Sequence, residues 1–131
     1  MRALLSFIVL ALAFGSTPAA GQPRAEVWTA IIHDAFGNIV YTWRLKANGT
    51  YEEDGVYIDT KEAAQATLTG RWTRERRRMV LKQDSFGLLF DGTVDGEQYY
   101  GTLFQYDQKV STFCAWKGTE VPVGCDDGNI G

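Results

Sequence analysis

One histidine and two cysteines are all that 131 residues contain of the usual catalytic and metal-binding soft donors. A lone imidazole cannot build a His-rich metal centre, and the cysteines lack the Cys-x-x-Cys spacing of a zinc or redox site. No nucleophile motif accompanies them, so acyl-transfer and metallohydrolase schemes have too few parts. The chain is therefore expected to be non-enzymatic, with no cofactor and no metal. It also lacks any apolar run of the roughly 20 residues that a membrane-crossing helix needs. No window holds a sustained helical period. The formal charge is −3, a mildly acidic balance that argues against general nucleic-acid binding and leaves only a local basic patch to consider.

What is there begins with Arg2, an apolar run from Leu4 to Phe14, and small or turn-forming residues through Gly21. This is the three-part layout of a secretory signal peptide, with Ala19-Ala20-Gly21 offering the small residues of a cleavage site. Residues 1–21 are expected to be removed, placing the mature start near Gln22, with Ala19 as a second option. The remaining 110 residues carry a charge of −4 and suffice for one modest core. The expected location is periplasmic or secreted. There Cys114 and Cys125 would be oxidised to a disulfide, worth about 3 kcal/mol through loop closure. It would pin the Gly- and Asp-rich tail, residues 119–131, to the domain at 22–118.

Short alternating segments separated by turn signals run through residues 22–118, the pattern of an all-β meander. Eight strands are predicted: Glu26–Ala35, Ile39–Ala47, Thr50–Tyr57, Ala66–Glu75, Arg78–Asp84, Leu88–Val94, Glu97–Gln105 and Val110–Lys117. Asn48-Gly49 and Asp95-Gly96 tolerate the positive φ of tight hairpins. Asn48-Gly49-Thr50 also has the form of a glycosylation acceptor, but a tight turn requires the same residues. The one long connection, Ile58 to Gln65, is read as a loop that serves as a lid. Alternation assigns Ile39, Tyr41, Trp43 and Leu45 to one face of their strand, and Gly70 with Trp72 and Gly92 with Phe90 to the apolar faces of theirs. Glycines on apolar faces permit the sharp curvature of a small barrel. The predicted fold is thus an eight-stranded antiparallel up-and-down barrel, with a two-sheet sandwich as the runner-up.

At this point the chain resembles the small lipocalin-like and avidin-like eight-stranded barrels. Besides the meander, the resemblance rests on Gly70-Arg71-Trp72, similar to the Gly-x-Trp that lipocalins carry on their first strand, here on the fourth. It implies a protein that binds a small apolar or amphipathic ligand, or a partner protein.

Several clusters invite a role. Trp43, Tyr51, Tyr57 and Tyr99 are candidates to line a ligand cavity, set against the alternative that large rings simply fill the core. Glu52, Glu53 and Asp54 form an acidic run, read as a solvated strand face. His33 beside Asp34 has the composition of an acid–base pair, but neighbouring strand residues diverge to opposite faces. Between Arg71 and Arg78 lie five arginines, Arg71, Arg74, Arg76, Arg77 and Arg78. Arg76 and Arg77 are expected at a turn and Trp72 inside, so no aromatic interleaves with the cations. The run reads as a basic hairpin tip, either solvated or docked on an acidic partner or anionic surface. The secreted enzyme inhibitor acting through this hairpin or the C-terminal loop is the alternative function, and a small enzyme using His33 the third.

Overall fold

The computed structural model describes residues 25–34 and 37–127. The proposed signal peptide and cleavage site lie outside them, as does the end of the tail. Eight strands follow one another: β1 Glu26–Asp34, β2 Gly37–Leu45, β3 Thr50–Tyr57, β4 Leu68–Glu75, β5 Arg78–Gln83, β6 Leu88–Asp95, β7 Gln98–Gln105 and β8 Gln108–Lys117. Each pairs antiparallel with the next, and β1 pairs with β8 from Trp28↔Lys117 to Ile31↔Cys114. That last pairing closes the barrel and excludes the sandwich. The architecture agrees, at fold level, with a lipocalin-like barrel.

Strand ends move where turn chemistry acts over a longer range than alternation. β8 starts at Gln108 rather than Val110 because Tyr106 and Asp107 both take positive φ (49° and 68°), making a two-residue turn that pairs Gln105 directly with Gln108. β4 starts at Leu68 rather than Ala66 because the preceding residues are engaged with β3.

Alternation decides the two faces. Inward positions bring Trp28, Trp43, Tyr51, Trp72, Met79, Leu81, Phe90, Tyr99 and Phe113 into one buried cluster. Trp43 stands 4.6 Å from Phe90 and Tyr99 4.8 Å from Phe113, centroid to centroid, in tilted and edge-to-face contacts. Such ring pairs contribute about 0.5–1.5 kcal/mol each beyond the area they bury.

Two glycine sites allow this packing. Gly92 and Gly101 are register partners on β6 and β7, and a Cβ on either would run into the neighbouring backbone, at Tyr100 O and Asp91 O respectively. A Cβ on Gly70 would strike the Tyr51 ring and Lys82 O, so the missing side chain is where that ring lies.

The barrel has two rims. One carries the turns at 46–49, 76–77 and 96–97 and the start of the tail at Gly118; the other carries the connections at 58–67, 84–87 and 106–107. From Gly118 the tail folds over the outer wall. Cys125 is bonded to Cys114, Trp116 Nε1 donates to Gly124 O at 2.9 Å, and Thr29 Oγ1 donates to Gly118 O at 2.6 Å. Thr29, Ile31 and Cys114 are buried although they point away from the barrel interior. The disulfide fits an extracellular or periplasmic setting.

Candidate functional site

Three of the four candidate cavity residues, Trp43, Tyr51 and Tyr99, are buried among the rings of the core. The Tyr99 hydroxyl lies 3.0 Å from Met79 O and 3.1 Å from Phe90 O, inside hydrogen-bonding reach of both. The Tyr51 hydroxyl is buried and, among the described residues, has no hydrogen-bond partner. Desolvation pushes both phenols well above their ordinary range. Tyr57 stands apart, beside Gly37, Asn38, Asp59, Thr60 and Glu62 at an open groove on the second rim.

The acidic run is not one solvated face. Glu52 and Asp54 do point outward, where Arg44 meets Glu52 at 3.2 Å and Asp54 at 2.7 Å and Lys46 meets Glu52 at 2.9 Å. Glu53 is instead 0% exposed. Its Oε1 accepts Trp43 Nε1 at 2.9 Å, and its Oε2 accepts Gln65 Nε2 at 3.0 Å and Gln83 Nε2 at 2.9 Å. Burial holds this carboxyl above the usual carboxylate range, opposed in part by the three donors. Every one of these donors is neutral, so the charge is stabilised by hydrogen bonds alone.

The segment expected as a lid belongs to the wall. Ala63 bridges Val56, Ala64 N donates to Gly55 O at 2.8 Å, and Tyr57 N donates to Glu62 O at 2.9 Å. Thr67 Oγ1 donates to Asp54. Residues 58–67 thus supply the hydrogen bonds that β4 does not offer to the far half of β3, since β3–β4 pairing covers only Thr50–Glu53. A backbone left without partners there would be costly, and the loop removes that cost.

The basic hairpin is built as expected, with Arg76 and Arg77 at the turn and Trp72 buried, its indole N–H donating to Lys46 O at 2.9 Å. Its charges are not equivalent. Arg78 binds Asp91 through two hydrogen bonds of 3.0 and 2.8 Å, and Arg77 lies 3.6 Å from Asp95. Arg74 donates to Arg76 O. Arg71 is outward on β4 and, among the described residues, enters no ion pair. His33 is exposed at the opposite rim, with Nδ1 in contact with Asn38 Oδ1. That contact ties the β1–β2 hairpin together and brings no nucleophile to the imidazole.

A surface feature not singled out by sequence reasoning lies on the outer wall. A groove of about 470 Å³ is lined by Lys82, Gly87, Leu88, Leu89, Phe104, Tyr106 and Asp107. Phe104 also borders a second open groove with Tyr100, Thr93, Thr102 and the Arg78–Asp91 pair. Tyr106 is 68% exposed and Phe86, on the adjoining turn, 52%. The sequence carried a signal for this. Leu88-Leu89, Tyr99-Tyr100 and Leu103-Phe104 are adjacent apolar pairs, and a strand can turn only one member of each pair inward. Comparison of the chain with known protein families, with curated proteins and with solved structures finds no match.

Proposed function

We propose that this protein is a non-enzymatic binding barrel that holds an apolar or amphipathic small molecule in the groove on its outer wall, rather than inside. The observation that carries the reading is the contrast between an interior occupied by its own rings and an exterior groove walled by Leu89, Phe104 and Tyr106. Apolar walls with a few polar groups at the edge are the make-up of small-molecule sites.

Tyr106 adds support. It sits in the left-handed region at φ 49°, a conformation costing an L-residue about 1–2 kcal/mol, yet its ring is mostly in solvent. The ring lies over Gly87, where any Cβ would collide with it, and Tyr106 N donates to Gly87 O at 3.0 Å. Strain that holds an exposed aromatic in one place is what a binding wall would need.

The test is a fluorescence titration with N-phenyl-1-naphthylamine, a neutral apolar probe. Binding should saturate in the unaltered protein, weaken in Tyr106→Ser and Phe104→Ser, and be unchanged in Tyr51→Phe, whose change is internal. An unaltered protein that gives no enhancement would end the reading, as would a loss of binding confined to Tyr51→Phe.

A further inference from the structure

We infer that the ligand of this groove is a single-chain acidic amphiphile, its acid group held between Arg71 and Lys82. The inference rests on the groove reading above and adds the headgroup site and the charge of the ligand.

It follows from the register of four strands. Arg71 on β4 is the partner of Lys82 on β5, Lys82 of Leu89 on β6, and Leu89 of Phe104 on β7. All four are on the outward face, so they form one row across the wall: two cations, then leucine, then phenylalanine. Strands lie about 4.8 Å apart, so the apolar part of the row reaches about 10 Å from Lys82, the scale of a medium-length alkyl chain. Beyond Phe104 the row continues to Lys109 on β8, while Tyr106 and Asp107 border the groove from the β7–β8 turn. The row is cationic at both ends and apolar between, with two facing cations at the Arg71–Lys82 end.

What sets these two cations apart is that they face each other directly across β4 and β5. Like charges directly opposite on paired strands are destabilising. Elsewhere Arg44, Lys46, Arg77, Arg78 and Lys117 have carboxylate partners, and Lys61, Arg74, Arg76 and Lys109, which have none among the described residues, are not set opposite another cation. Arg71 and Lys82, both exposed, enter no ion pair among the described residues. The nearby carboxylates are engaged: Asp84 accepts Thr69 Oγ1 at 3.0 Å, and Asp91 is held by Arg78. A carboxylate placed between Arg71 and Lys82 would replace their repulsion with two charge-assisted hydrogen bonds.

Displacement of N-phenyl-1-naphthylamine by decanoate, decanol and decyltrimethylammonium, three ligands sharing one chain length, tests the headgroup separately from the groove. Decanoate should displace the probe at about tenfold lower concentration than decanol, a difference of about 1.4 kcal/mol, and decyltrimethylammonium should be the weakest. Added salt should erase the preference, because both cations are exposed. Arg71→Gln, at a residue outside the groove lining, should bring decanoate to the level of decanol while leaving decanol unchanged; Lys82→Gln should also remove the preference, and Lys82→Arg should keep it. Since both side chains are exposed, unfolding midpoints should hold. Equal displacement by decanoate and decanol would overturn the headgroup site while sparing the groove. Failure of the probe to bind at all would instead remove the groove. Binding to anionic vesicles without displacement by free decanoate would likewise overturn the inference.

Discussion

Inside the barrel Trp43 Nε1 donates to Glu53 Oε1 at 2.9 Å, joining register partners on β2 and β3 where neither side chain reaches solvent. Among the described residues it is the only donor that this oxygen receives. Trp43→Phe should therefore cost about 1–3 kcal/mol for the stranded acceptor, on top of the lost packing. A double-mutant cycle with Glu53→Gln, read by denaturant unfolding, should give a coupling energy of about 1 kcal/mol or more. Strict additivity would mean that the bond contributes nothing net.

Stability should also depend on pH through Glu53. Its carboxyl is raised mainly by burial, so the folded protein binds that proton more tightly than the unfolded chain does. Its contribution is complete below the unfolded value of about 4.3 and is lost as pH rises through the folded value. Glu52 is lowered by its hydrogen bonds from Lys46 and Arg44, and Asp54 by those from Thr67 and Arg44. These two act in the opposite sense, stabilising above their unfolded values and failing as pH falls through their folded ones. The melting temperature should then peak in mild acid, and Glu53→Gln should flatten the fall on the alkaline side. Parallel profiles for the two proteins above about pH 5 would show that Glu53 does not titrate there.

The buried Tyr51 hydroxyl offers a gain. Because it has no partner among the described residues, Tyr51→Phe removes a desolvated polar group without opening a cavity. Stability should rise by about 1 kcal/mol in urea unfolding; a loss of that size would reveal a partner of the hydroxyl.

Removing the disulfide should release the tail more than it loosens the barrel. Cys114→Ser with Cys125→Ser is expected to cost about 3 kcal/mol, and to speed hydrogen exchange on β1 at outward-facing Thr29, whose hydroxyl donates to the tail, and at Ile31, the partner of Cys114. Protection unchanged on β1 would mean that Trp116 and the Gln98–Asp126 contacts hold the tail unaided.

At the basic hairpin Arg76 takes φ 58°. Arg76→Gly should relieve about 1 kcal/mol of backbone strain, raising the melting temperature. Loss of the Arg77 and Arg78 pairs, by contrast, should leave the melting temperature nearly unchanged because both arginines are exposed.

The local pattern of the chain already contained the strand count, the hairpin turn at Arg76 and Arg77, the inward side of Trp72 and the Cys114–Cys125 pairing. These depend on the two-residue period of a strand, on turn chemistry and on there being only two thiols. The same period put Glu53 on one face with Tyr51 and Gly55, inside the barrel. Charge argued for solvent, and nothing local could show that Trp43, Gln65 and Gln83 would converge on the carboxylate from three other segments. Closure through β1 and β8, the burial of outward-facing Ile31, and the outer row from Arg71 to Phe104 were likewise settled only by tertiary structure. Alternation sorts side chains into two faces, but it is the register between strands distant in sequence that decides which of them meet.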